Sequence, residues 1–127
     1  MITRAKADQL EKLLGQLDGI HSEVSALAKK APNDAVNLFK LKFVNAVLLQ
    51  CNETLGLDYR PVGDFVEFRQ EDVPSNSDVT FVASQYLQAL EKLRSDNIHV
   101  EMSHWYYDLP KEDLNKMRAA PPFKLRK

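Results

Sequence analysis

The feature that most constrains this chain is the spacing of its apolar residues between positions 3 and 30. Leu10, Leu13, Leu17, Ile20, Val24 and Leu27 recur at alternating intervals of three and four, so they share one stripe of an α-helix. Leu14 and Ala28 widen the stripe, which suits packing in a helical bundle better than a strict two-stranded coil. Gly15 and Gly19 sit inside the same helix, and each weakens it by roughly 1 kcal/mol relative to Ala. The helix must therefore draw stability from whatever covers the stripe. The six apolar residues can be buried within one chain or across a two-fold axis, and the expectation is a homodimer with them at its interface.

Ala31-Pro32-Asn33-Asp34 ends this helix, and Asn33 or Asp34 is placed to cap a second one over 35–55, with Gly56 as its stop. Val36, Leu38, Phe39, Leu41, Phe43, Val44, Val47, Leu48 and Leu49 cover most of its circumference. Only Lys42, Asn45, Asn52 and Glu53 form a polar strip. A helix so apolar reads as the centre of a bundle or as part of a subunit interface. Residues 57–74, broken by Pro61, Gly63 and Pro74, form a long connection in which 64–68 fits a short helix or a short strand equally.

Pro74-Ser75-Asn76-Ser77 then opens a third helix over 78–95 that presents Val79, Val82, Tyr86, Leu90 and Leu93, with Asn97 closing it in the left-handed conformation. From 98 to 107 the apolar period shifts to two, as Ile98, Val100 and Met102 alternate with His99, Glu101 and Ser103. An extended or β segment follows from that alternation. Pro110, Glu112 and Asp113 suit the first turn of a short last helix that Pro121-Pro122 ends. The predicted fold class is mainly α: a helical bundle of three long helices plus a short C-terminal helix, in one domain over 1–127.

Composition narrows the function classes. With 44% hydrophobic and 28% charged residues the chain is ordinary globular material, and a net charge of −1 provides no field to draw in nucleic acid or an anionic membrane. A single cysteine, Cys51, excludes an intrachain disulfide and suits a reducing compartment. Arg4, Lys6, Asp8 and Glu11 interrupt the first residues, so no signal peptide is read there. The longest apolar run, 46–49, is far short of the ~20 residues of a membrane span. The expected location is cytoplasmic, without membrane contact.

Patterns that carry chemistry are sparse. No glycine belongs to a Walker or dinucleotide fingerprint. Between His99 and Asp108, His99, Glu101, His104 and Asp108 are metal-ligand types, yet on a continuous strand His104 has the opposite parity to His99 and Glu101. No HExxH or CxxC accompanies them, and no metal or cofactor is expected. Cys51 near the negative end of an apolar helix reads as structural. Asp8 and Glu11, or Glu53, Asp64 and Glu67, are too scattered for a four-carboxylate magnesium site.

Asn52, Glu53, Tyr59, Arg60 and Asp64, around the exit of the second helix, are the candidate ligand-binding residues. The tail over 116–127 carries Lys116, Arg118, Lys124, Arg126 and Lys127, a candidate partner-binding arm, with Phe123 as a latch onto the body. The leading expectation is a non-enzymatic protein–protein interaction, adaptor or regulatory module acting as a homodimer. The first alternative is a small-molecule-binding protein or enzyme with a polar pocket near Glu53 and Arg60 or at His99–Asp108. The second is a nucleic-acid accessory protein using the basic tail.

Overall fold

In the computed structural model, which describes residues 1–122, three long helices and one β-hairpin supply the regular structure. α1 (Arg4–Lys30) starts at Thr3, whose hydroxyl accepts a hydrogen bond from the Lys6 amide (3.1 Å). Lys29 and Lys30 fill its last turn, where cations oppose the helix dipole. The α1 stripe is buried by the chain itself: Leu10, Leu13 and Leu17 are fully enclosed, Ile20 and Val24 are buried, and Leu27 is half-buried. Five of the six residues expected at a dimer interface are thus core residues within one chain, and Leu27 lies at the edge of the core. α3 supplies an apolar face of matching length, and filling the stripe from the same chain avoids the entropic cost of association.

α2 (Leu38–Tyr59) is capped by Asn37, whose side chain accepts from the Lys40 amide (2.8 Å), and not by Asn33 or Asp34. The reason lies in the linker. It pairs with the approach to α3, the Val36 amide donating to the Pro74 carbonyl (3.0 Å) and the Asn76 amide to the Asp34 carbonyl (2.9 Å). At Gly56 the backbone takes φ 66°, a left-handed conformation that favours glycine, and one more turn follows to Tyr59. α2 buries Leu41, Val44, Val47, Leu48, Cys51 and Leu55 on one side only, so it is not the central helix.

α3 (Asn76–Ser95) opens with a reciprocal capping box, Ser75 Oγ accepting from the Asp78 amide (3.1 Å) and the Asp78 carboxylate from the Ser75 amide (3.0 Å). Asn97 closes it by another route than the left-handed one, its side-chain amide donating to the Leu93 carbonyl (2.8 Å). Residues 64–68 are neither helix nor strand, and a single 3₁₀ turn, Gln70–Asp72, precedes α3.

β1 (Ile98–Glu101) and β2 (His104–Tyr107) form an antiparallel hairpin that docks on the helices through buried Ile98 and Tyr107. Its two-residue turn, Met102 (φ 47°) and Ser103 (φ 70°), is left-handed at both positions, as the twist of the flanking strands requires. The short helix expected after Pro110 does not form among the described residues. The chain instead runs back along β2, the Tyr107 amide donating to the Met117 carbonyl and the Ala119 amide to the Trp105 carbonyl, both at 3.0 Å. Arg4 grips Asp113 through two hydrogen bonds (2.8 and 3.1 Å), which holds that segment out of a helix. No helix among the described residues is long and apolar enough to cross a membrane.

Left-handed Met102 and Ser103 lack the side chains that tolerate this conformation, at about 1 kcal/mol or more each. Replacing them with Asn-Gly (Met102→Asn with Ser103→Gly) is expected to raise the melting temperature by roughly 3–6 °C in a thermal unfolding scan. An unchanged or lowered value would refute the strain.

Candidate functional site

The residues expected to line a polar pocket do not converge. Asn52 is buried. Its amide donates to the Phe65 (3.3 Å) and Val66 (3.5 Å) carbonyls, and its oxygen accepts from the Tyr86 hydroxyl (2.7 Å). About two turns earlier on α2, Asn45 does the same work for the next part of the loop, exchanging two hydrogen bonds with the Phe68 backbone (2.9 and 2.8 Å). These side chains act as a substitute strand edge for 65–68, a segment with no sheet partner. Arg60 donates back to the Asn52 carbonyl (3.3 Å), and Tyr59 donates to Asp96 (2.7 Å). Lys92 and then Tyr59 hold the Asp96 carboxyl below its ordinary range. Glu53 and Asp64 point to solvent.

At the hairpin, both ring nitrogens of His99 meet carboxylates, Nδ1 at Asp108 and Nε2 at Glu101 (3.1 Å). The Asp108 hydrogen bond, reinforced by Glu101, raises the His99 pKa above 6.5 despite slight desolvation. Glu101 is held low by Lys116 and then by His99. Antiparallel pairing also places His104 directly across from Glu101, so the turn overcomes the parity mismatch of a single strand. Among the described residues no three His, Cys, Asp or Glu converge on a metal position. Burial pushes the Cys51 thiol up to about 12, so it stays protonated at neutral pH.

Arg94 and Glu91 are the most deeply buried charges, at 1% and 6% exposure, joined by two hydrogen bonds (2.7 and 2.9 Å). Arg94 gives two further donors to the Ala120 (2.6 Å) and Pro121 (3.0 Å) carbonyls, which ties the C-terminal arm down. Burial works against the guanidinium charge, and Glu91, together with Tyr107 and Glu11, more than offsets it, raising the Arg94 pKa. Beside this pair the buried Tyr107 hydroxyl donates to Glu11. Of the basic residues expected in the tail, Lys116 pairs with Glu101, and both Lys116 and Arg118 lie over the Tyr106 ring. Lys124, Arg126, Lys127 and the proposed latch Phe123 lie outside the described residues.

Two buried polar atoms, Gln16 Oε1 and Gln88 Nε2, have no hydrogen-bond partner among the described residues, and the larger unpartnered surface is apolar. On the outer face of α1 and α2, Phe39 is 82% and Phe43 53% exposed, beside an open groove of about 390 Å³. Gly15, Gly19, Ile20 and Val24 line its α1 side, and Lys40 and Glu23 pair across its rim (3.3 Å). A Cβ added at Gly15 or Gly19 would meet no heavy atom of the described residues within 4 Å. The described fold therefore makes no use of either missing side chain. From sequence, both phenylalanines belong to a helix at the bundle centre or at a subunit interface, and the glycines read only as weak points. The matching signal was the shared spacing of four, Gly15 to Gly19 and Phe39 to Phe43. No protein-family model, curated protein or solved structure matches this chain.

Two expectations follow for the polar ties. His99 gains its partners on folding, so its raised pKa contributes stability that is full below about pH 6.5 and is lost as pH rises through the folded-state midpoint. An NMR titration should place that midpoint above 6.5 and return it toward 6.5 in Asp108→Asn; an unshifted wild-type midpoint would contradict the clamp. Glu91→Gln leaves Arg94 buried without its counter-charge and should cost on the order of 3 kcal/mol in denaturant unfolding. A loss below about 1 kcal/mol would mean that water reaches the pair.

Proposed function

We propose that this protein is a non-enzymatic interaction module, an adaptor or regulatory component of the cytoplasm, which acts as a homodimer and docks through the outer face of α1 and α2. The observation that carries this reading is the pairing of two exposed phenylalanines with an adjoining stretch of helix that lacks side chains. Rigid aromatic anchors beside a shallow hollow are the usual energetic centre of a protein interface. The groups suited to chemistry support the same reading by their engagement. Asn52, Tyr59 and Arg60 brace a loop, His99 is held between two carboxylates, and Arg94 is spent on Glu91 and the arm.

A photo-crosslinking amino acid at position 39 in living cells is expected to yield covalent protein adducts, while the same group at exposed Lys111 yields far fewer. Equal labelling at the two positions, or none at either, overturns the reading.

A further inference from the structure

We infer that the occupant of this face is a second copy of the chain, with α1 of each protomer lying on α2 of the other about a two-fold axis parallel to the helices. The inference rests on the docking function proposed for the face. Size is the first argument. At 1.5 Å per residue, the 27 residues of α1 and the 22 of α2 make a face about 35 Å long, and two helices side by side make it roughly 20 Å wide. The footprint of about 700 Å² is close to the ~800 Å² that each partner contributes to a stable interface. On α1, Asp8, Lys12, Gly15, Gly19, Ser22 and Ala26 are exposed along it, so no other described segment covers the face.

Shape is the second argument. The Gln9–Gln50 hydrogen bond (3.2 Å) and the Lys40–Glu23 ion pair set the antiparallel register of α1 and α2. In that register Gly19 is level with Phe43, Gly15 with Ala46, and Ser22 with Phe39. The two-fold axis exchanges the helices without changing their levels. Phe43 then sits over the partner's Gly19, Ala46 over the partner's Gly15, and Phe39 over the partner's Ser22. Large side chains on α2 meet small ones on α1, twice over, which is the self-complementarity an isologous interface needs. An absent Cβ that the monomer never uses becomes the hole for a knob.

Charge is the third. Lys42, on the outer shoulder of α2, comes level with the partner's Asp18, an attractive pair. Glu53 comes level with the partner's Asp8, a repulsive one near the end of the face, where crossing helices diverge.

Sedimentation equilibrium of the full chain at tens of micromolar tests the inference, with a dimer expected for the wild type. Gly19→Leu should weaken self-association about tenfold or more while its melting temperature holds or rises, because leucine is the better helix former and the site is open in the monomer. Phe39→Ser with Phe43→Ser should give a folded monomer, and Glu53→Lys should tighten the dimer. Unchanged association in Gly19→Leu overturns the arrangement. A monomeric wild type whose position-39 crosslinker captures a different protein overturns the second-copy occupant and the homodimer, and leaves the face standing as a docking surface for another protein. A monomer that captures nothing removes both.

Discussion

Everything in this molecule is arranged around the contact between the α1 stripe and α3. Leu10, Leu13 and Leu17 are fully enclosed there, against Val79, Ala83, Leu90 and their neighbours. Burying a leucine contributes roughly 2 kcal/mol, so this contact is the largest block of stability available to so short a chain. Once α3 fills the stripe, α2 can only lie along the flank. It buries one side, and the rest of its apolar surplus is left facing outward. The exposed phenylalanines are a geometric consequence of α3, and not α2, covering the stripe.

Polar side chains do the secondary fastening, and they do it mainly on backbone. Residues 65–68 have no strand beside them among the described residues, and Asn45 and Asn52 supply the donors and acceptors a strand would have given. Arg94 does the same for the carbonyls of the C-terminal arm, with Glu91 neutralising it in the interior. The amide and guanidinium donors used in this way are committed to the backbone they hold, so Asn45, Asn52 and Arg94 act as braces in the described fold.

The helices were legible because their signals are local. The spacing of leucines located α1, and Pro74-Ser75-Asn76-Ser77 marked the start of α3 to within two residues. The hairpin was half visible. The alternation of 98–103 marked β1, but Met102-Ser103 carries none of the Asn or Gly that normally announces a left-handed turn. The missing last helix had good local credentials, and long-range partners overrode them: Arg4 is 109 positions from Asp113. The docking face was hidden for a subtler reason. Periodicity identifies which residues share a helix face, and it is silent on whether another helix covers that face. Phe39 and Phe43 were therefore indistinguishable from core residues until the packing was known.

The burial of Cys51 has a practical meaning. A fully enclosed thiol held protonated at neutral pH is invisible to alkylating reagents as long as the helices stay together. Its rate of modification consequently measures how often the bundle opens deeply enough to expose α2, in the manner of an amide exchange clock. Because the chain has no other cysteine, a single engineered thiol on the surface can be labelled selectively without first removing the native one. The protein thus comes with a silent internal reporter of its own unfolding and an exterior free for chemical tagging.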